Sequence, residues 1–251
     1  MLCALIIKRE FWMEVTHKGQ VVYSGFVSKG IILLRIELLE PKSLEFKAGQ
    51  YLAVLLPNLD KASYYSIASS PNKKGEVELL VKEDKLGTGA AYLYSLKAGD
   101  VVQLHMPMGE AYLREDSKRN LIFVAGASGA SYVRSMIHYL DETDQLANRE
   151  VHYFLGCREE SELLESDFMQ ALAEKYSGFH YHPALSHQED WEGHTGLITE
   201  VVDRLMPNDL SEWQAYSAGS PAMVKAVADG LIANKDLKPS AFFSDLYTPE
   251  V

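Results

Sequence analysis

Leu121-Ile122-Phe123-Val124-Ala125-Gly126-Ala127-Ser128-Gly129-Ala130 runs a short apolar segment straight into a glycine-bracketed turn, and helical spacing follows as far as Leu140. A continuously apolar run of this length is how a strand reads when both faces of its sheet are covered. The same rhythm then repeats. VHYFLGC leads into a helix around Glu160 to Lys175, with Leu164, Phe168 and Leu172 on one face. FHYHPAL precedes a helix near Ile198 to Leu205, WQAYSAG precedes a helix near Ala222 to Asn234, and FFSDLY closes the series. Strands alternating with helices predict a doubly wound parallel sheet covered on both faces.

Upstream, from Val21 to about Leu113, apolar residues come in short β-type runs divided by turn residues: VVYSGFV, IILLRIELL, QYLAVLL, YYSIAS, EVELLVK and VVQLHM. That pattern predicts a small antiparallel barrel or sandwich. One helix, Thr88 to Leu96, is expected to interrupt it, entered through Gly87 and closed by Lys97, Ala98 and Gly99. The polar stretch Arg114-Glu115-Asp116-Ser117-Lys118-Arg119-Asn120 reads as an exposed linker. The expected organisation is therefore a loosely attached arm over 1–19, an antiparallel barrel over 20–113, a linker over 114–120 and an α/β domain over 121–251.

With 251 residues the chain has room for two such domains, and 47% apolar with 24% charged residues excludes disordered and collagen-like classes. Lys plus Arg number 24 against 35 Asp plus Glu, and a net charge of -11 argues against a nucleic-acid binder, which draws phosphate through a basic field. The acidic surplus reads as solvated surface, with a basic partner protein as the alternative. Cys3 and Cys157 lie far apart, so neither a disulfide framework nor a four-thiolate iron-sulfur or zinc site can be built. A reducing cytoplasm fits that usage best. The apolar run Leu2 to Ile7 is short and its charges, Lys8 and Arg9, follow it, so it predicts neither a secretory signal nor a membrane span.

Three segments carry chemistry. Gly126-Ala127-Ser128-Gly129 sits between strand and helix, where glycines let a phosphate approach the N–H groups of a helix N-terminus, although tight turns also use glycine for steric reasons. Ala218-Gly219-Ser220-Pro221-Ala222-Met223 repeats the arrangement, and Ser-Pro there is equally an ordinary N-cap with proline at N1. Two such turns at the carboxyl edge of one parallel sheet point to a nucleotide, because ligands bind at that edge. The second strand ends in Gly156-Cys157-Arg158-Glu159-Glu160, not in the acidic residue of an ordinary Rossmann ribose site, so a nucleotide must be held differently. In the barrel, Ser63-Tyr64-Tyr65-Ser66-Ile67-Ala68-Ser69-Ser70-Pro71 sets aromatic rings beside small hydroxyls. Such a segment can stack on a planar ring and hydrogen-bond its heteroatoms, or simply form a half-buried strand.

These patterns, in this order, resemble the ferredoxin-NADP reductase superfamily over about Val21 to Tyr247. Within it the chain is most similar to the bacterial NAD(P)H:flavin oxidoreductases, through Phe46-Lys47-Ala48-Gly49-Gln50-Tyr51-Leu52, Met108-Gly109-Glu110-Ala111-Tyr112-Leu113-Arg114 and the run Ile122 to Ser135. The resemblance implies that Tyr65 lies along a flavin, that Ser66 stands near its N5, and that Tyr64, Ile67 and Ala68 extend that wall. It also implies flavin-binding positions at Val81, Lys82, Gly87 and Thr88. Gly126, Ser128 and Gly129 match the family's nicotinamide-dinucleotide turn, in which Ala127 also lies, and Gly156 and Arg158 match its Gly-x-Arg. Gly219, Ser220, Pro221 and Met223 match the segment beside the nicotinamide, while Phe243, Ser244, Asp245 and Tyr247 match the closing segment near the isoalloxazine.

The chain departs from that pattern at several positions. Ser63 stands where the family has the arginine that neutralises the flavin phosphate, Ala90 where FAD-retaining members have a serine, Ala127 at the second glycine of the turn, and Ala218 at a cysteine. An arginine clamp supplies charge-assisted hydrogen bonds of about 1.5 to 3 kcal/mol each. Its loss implies a weakly held or diffusible flavin (riboflavin, FMN or FAD), with Lys61 or Lys82 as substitute phosphate partners. The implied activity is NAD(P)H-dependent flavin reduction, NADH or NADPH giving hydride from nicotinamide C4 to flavin N5, with Ser66 as the catalytic hydroxyl. A flavin-retaining reductase that feeds a separate oxygenase or iron-sulfur protein is the alternative, and a non-catalytic nucleotide-sensing or interaction module a third. His180, His182, His187 and His194 lie close in sequence, with His180 and His182 on one strand face; they are read as surface or loop histidines, and no metal is assigned.

Overall fold

The computed structural model describes residues 15–57, 59, 61–83, 87–188 and 190–247. Its first half is an antiparallel sheet of β1 (Val15–Ser28), β2 (Ile31–Glu40), β3 (Tyr51–Leu55), β4 (Ala62–Ser66), β5 (Glu76–Lys82) and β6 (Val101–Met108), in the order β4-β3-β6-β1-β2-β5. Period-two burial drives it: Ile32, Leu34, Ile36 and Leu38 of β2 share one interior with Val77, Leu79 and Val81 of β5. The two edges meet where Ala68 N donates to Glu78 O (2.8 Å), giving the sheet its barrel form. Helix α1 (Thr88–Ser95) seats Leu93 in that interior.

One boundary needs correction. Strand β1 begins at Val15, and Thr16 to Gly19 pair antiparallel with β6, so the arm expected over 1–19 is wrong for its last five residues. Their sequence lacks an apolar period, and what orders them is the backbone ladder offered by β6. Residues 1–14 of that expectation lie outside the described residues.

In the second half, β7 (Asn120–Gly126), α2 (Ala130–Glu142), β8 (Val151–Cys157), α3 (Ser166–Lys175), β9 (Phe179–Leu185), β10 (His194–Thr195), α4 (Ile198–Leu205), β11 (Trp213–Ala218), α5 (Pro221–Asn234) and β12 (Phe242–Phe243) follow in turn. The strands form a parallel sheet in the order β10-β9-β8-β7-β11-β12. The pleat of β7 sends Leu121, Phe123 and Ala125 under α2 and α3, and Ile122 and Val124 under α4 and α5. Both faces are covered, as the apolar run predicts, and complete burial of a side chain such as Phe123 contributes about 1.5 to 3 kcal/mol. The order reverses at β7, with β8 on one side and β11 on the other, which opens a crevice at their carboxyl ends.

Two further expectations shift. The helix expected around Glu160 breaks into a 3-10 turn over 160–162 and α3 from Ser166, because Leu163 is extended and Glu165 takes a φ of 52°. Arg158 N (2.8 Å) and Lys82 Nζ (3.2 Å) hold the Glu162 carboxylate, and Arg134 holds that of Glu165. The linker is partly docked: Arg114 N donates to Tyr216 Oη (3.0 Å), its guanidinium lies over Tyr112 and Phe243, and Asn120 already belongs to β7.

The domains are joined by α2. Its Arg134 reaches across to Glu78 Oε2 (2.7 Å) and Ala68 O (2.7 Å) of the barrel and to Glu165 Oε1 (2.9 Å) of its own domain. Ser135 donates to Ser69 O (2.7 Å), and Glu142 receives Ser70 and Asn72. Burial opposes the charge on Glu78, but Arg134 and Lys73 outweigh it and hold the carboxyl below its ordinary 4.5. Burial opposes Glu165 too, and His138 and Arg134 lower it likewise. A lowered folded-state value means that this stabilisation is complete above the ordinary value and is lost as pH falls through the folded one. Urea midpoints measured from about pH 6 to about pH 3 should therefore fall steeply below about 4.5. A flat profile there would remove the network from the account of stability.

Among the described residues, no helix is long and apolar enough to cross a membrane.

Candidate functional site

Strand β4, the start of α1 and the outward residues of β5 face the turn after β7 across a cleft of about 620 Å³. Ser63, Tyr64, Tyr65 and Ser66 form one wall, Gly87 and Thr88 the end, and Ala127 and Ser128 the opposing lip. A second hollow of about 400 Å³ shares Tyr64, Tyr65, Ser66 and Ser128 with the first and adds Gly129, Gly219, Ser244 and Asp245. A third, of about 280 Å³, continues along the carboxyl edge of the sheet past Gly126, Gly156, Arg158, Ser220 and Met223. The Tyr65–Ser66 wall thus separates two chambers that meet at Ser128.

Several expected residues sit elsewhere. Ile67 and Val81 are fully buried in the barrel interior, because strand alternation sends Leu80 and Lys82 to the cleft and Val81 away from it. Ala68 is also fully buried, and its contribution is the carbonyl that receives Arg134. Tyr247 packs edge-on against Phe242 (5.3 Å between centroids), and Leu246 takes the place beside Asp245. Pro221 opens α5, where Ser220 Oγ accepts from Met223 N (3.2 Å), so the ordinary N-cap and the site-edge position coincide.

Gly129 is also explained differently. A Cβ there would collide with the carbonyl of Ala218, so glycine is required for α2 to pack on β11. A valine at this position would disturb that packing before it tested phosphate approach. Gly126, by contrast, has room: a Cβ would lie 3.5 Å from Met223 Sδ, an ordinary contact.

Two residues absent from the sequence reading line the second chamber. Ser217 Oγ is buried with no hydrogen-bond partner among the described residues. Tyr132 lines the same chamber, its hydroxyl donating to Ala111 O. The signal for Ser217 is a small hydroxyl in WQAYSAG, two residues before Gly219. An unpaired buried hydroxyl costs about 1 to 3 kcal/mol, so its presence on a cavity wall fits a ligand that brings a polar group.

The electrostatics divide the cleft. At its outer end Lys82 is paired with Glu162 (3.2 Å), whose carboxyl is held low against burial by Arg158 N–H and Lys82 itself. Lys61 lines the same cleft, and no ion pair to it occurs among the described residues. In the second chamber, burial raises Asp245 above its ordinary value, opposed by the N–H of Glu110 (3.3 Å). Cys157, on the third hollow, is pushed up to about 12 by burial, so its thiol stays protonated and inert.

The sequence pattern of the oxidoreductase FAD-binding domain matches residues 18–112, and that of the oxidoreductase NAD-binding domain matches 123–229. The chain is 32% identical to the NAD(P)H-flavin reductase of Aliivibrio fischeri, over 85% of this chain and 91% of that protein. The chain belongs to the ferredoxin reductase family. It is an oxidoreductase of that family, with a flavin-binding barrel and a nicotinamide-dinucleotide-binding α/β domain. It is also 33% identical to the phenol hydroxylase P5 protein of Acinetobacter pittii over 87% of its own length, and spans 62% of that relative. The family fold recurs in the Amycolatopsis cytochrome P450 reductase GcoB, with a TM-score of 0.83 at 24% identity over 94% of this chain and 70% of that one.

Proposed function

We propose that this ferredoxin reductase family member is an NAD(P)H:flavin oxidoreductase whose flavin is weakly held and exchangeable. The observation that carries the reading is the split cleft: a wall of Tyr65 and Ser66 suited to a planar ring, and a phosphate end poor in cationic partners. Ser63 stands there in place of an arginine, Lys82 is committed to Glu162, and what remains is Lys61 and the N–H groups at the start of α1. The residues present fit an isoalloxazine better than they fit its phosphate tail.

Bound together, the nicotinamide supplies a hydride and the flavin ring accepts it. The chain supplies orientation and exclusion of water. Tyr65 and Ser66 would hold the flavin ring, and Gly219, Ser128 and the unpaired Ser217 would receive the nicotinamide side. Gly126, Gly156, Arg158 and Ser220 would hold the rest of the dinucleotide along the sheet edge. Asp245 lines the second chamber, where desolvation raises its carboxyl above the ordinary carboxylate value. The stapling of α2 to the barrel keeps the two half-sites at a fixed separation, as near-attack geometry requires.

An assay of NAD(P)H oxidation with riboflavin, FMN and FAD added separately tests the reading. Comparable turnover with riboflavin and FMN is expected, from a protein that purifies nearly colourless. The likeness to the phenol hydroxylase P5 protein favours a second reading, a flavin-retaining reductase that delivers electrons to a separate oxygenase. A yellow protein with stoichiometric FAD surviving gel filtration would establish that reading instead. No oxidation with any flavin would leave the nucleotide-sensing module.

Ser66→Ala should lower kcat up to about tenfold, the worth of one neutral hydrogen bond, with folding unchanged. Should KM rise while kcat holds, Ser66 serves binding alone.

A further inference from the structure

At the end of the parallel sheet opposite the cofactor clefts, β8 and β9 bring together residues far apart in sequence. His152 and His180 are register partners, with ring centroids 4.5 Å apart. Glu150 Oε1 lies 3.2 Å from His152 Nε2 and 3.9 Å from His180 Nε2, and one ligand atom from each of the three residues lies within 4.8 Å of the others. The Glu150 backbone is pinned, its N–H donating to Asn120 Oδ1 (3.0 Å) and its carbonyl accepting from Leu121 N (2.9 Å). His180 and His182 share a strand, as the sequence predicts, and His152 on the neighbouring strand, outside that histidine cluster, is the centre of the group.

We propose that Glu150, His152 and His180 bind one divalent transition-metal ion of the Zn²⁺ class. Two imidazoles with one carboxylate suit a borderline ion, whereas Ca²⁺ and Mg²⁺ take sets of oxygen ligands. Metal–nitrogen bonds of about 2.0 to 2.1 Å place neighbouring ligand atoms of a tetrahedral site roughly 3.3 Å apart. The spacings of 3.2 and 3.9 Å need only small side-chain adjustments, and His180 (40% exposed) and Glu150 (48% exposed) are free to make them. Exposure also leaves the remaining coordination positions open to water.

The orientation of His152 strengthens the assignment. Its Nδ1 lies 3.0 Å from His182 Nε2, and Trp213 packs against its ring edge-on. When His152 donates its Nδ1–H to His182, the lone pair of Nε2 points toward Glu150 and the metal position. That is the outer hydrogen bond that fixes tautomer and ring angle in imidazole metal sites. Gly156 lies four positions along β8 from His152, about 13 Å at the usual strand rise, so the ion would brace strand ends and take no part in hydride transfer.

The test is titration of the chelator-stripped full chain with Zn²⁺ by calorimetry and with Co²⁺ by visible absorption. One ion per chain, ligand-field bands for Co²⁺ and a higher unfolding midpoint with Zn²⁺ are expected. Glu150→Gln, at an exposed position, and His180→Ala, at a half-buried one, should each weaken Zn²⁺ at least tenfold. NAD(P)H oxidation should be unchanged in both, since neither residue lines a cofactor cleft. His182→Ala keeps all three ligands but removes the acceptor of His152, and should weaken binding about 10- to 100-fold. No stoichiometric uptake, or equal affinity in wild type and the Glu150→Gln/His180→Ala double variant, overturns the site.

Discussion

Replacing Arg134 by Ala should cost about 3 to 5 kcal/mol of stability, the largest effect expected of any single substitution in this chain. The guanidinium leaves behind Glu78, whose side chain is only 2% exposed, with Lys73 (2.8 Å) as its remaining close cation and the more distant Arg35 at 3.5 Å. It also leaves the Ala68 carbonyl without its donor and Glu165 with His138 alone. A buried carboxylate deprived of its partner carries its desolvation penalty uncompensated, which is why removal of one member costs more than the pair contributes. The loss should appear as a lower unfolding midpoint. It should also appear as reduced cofactor turnover at temperatures where the protein is still folded, because the half-sites lie on opposite sides of this staple. Glu78→Gln, which neutralises the buried charge while keeping its shape, should cost less than Arg134→Ala. If Arg134→Ala leaves both midpoint and turnover as in the wild type, the domains are held by the apolar seam alone, where Ile31, Ala48, Ala111 and Leu113 of the barrel join the α2 and α3 core.

Ser63→Arg should tighten FMN about 10- to 150-fold, the equivalent of about 1.5 to 3 kcal/mol for one charge-assisted contact, and leave riboflavin unchanged. Ser63 is half-buried on the cleft wall, and its hydroxyl abuts Gly89 in the first turn of α1. A longer side chain there has to lead into the cleft of about 620 Å³, at the end where α1 presents its N–H groups. Riboflavin is the internal control, since it carries the ring without the phosphate. Glu162→Gln, which releases Lys82, should move FMN in the same direction by a smaller amount, because Lys82 is a flexible point charge and not a planar fork. Dissociation constants for both flavins, measured by fluorescence quenching, decide it. Equal tightening of both flavins, or of neither, would refute the assignment of this end of the cleft to the phosphate.

The alternation of strand and helix, the apolar run before Gly126 and the two glycine turns are sufficient to place the carboxyl edge of a doubly wound sheet, because a strand covered on both faces is predominantly apolar. Strands β8 and β9 and helix α4 fall where those patterns put them, since their signals are local. Lone positions within a run were harder. The resemblance implies both Val81 and Lys82 as site residues, yet the pleat sends one to the barrel interior and the other to the cleft, and Ile67 and Ala68 turn inward in the same manner. Tyr247 packs edge-on against Phe242 and lines none of the three hollows. What the chain's own order determined about this protein is the set of elements and the edge at which a nucleotide sits. What only the tertiary structure decided are the pairings between segments remote in sequence: Arg134 with Glu78, Lys82 with Glu162, Ser217 facing the second chamber, and His152 between Glu150 and His180. Periodicity reports which side of a strand or helix is apolar, whereas the partner of a buried charge or hydroxyl depends on which two elements the fold lays against each other.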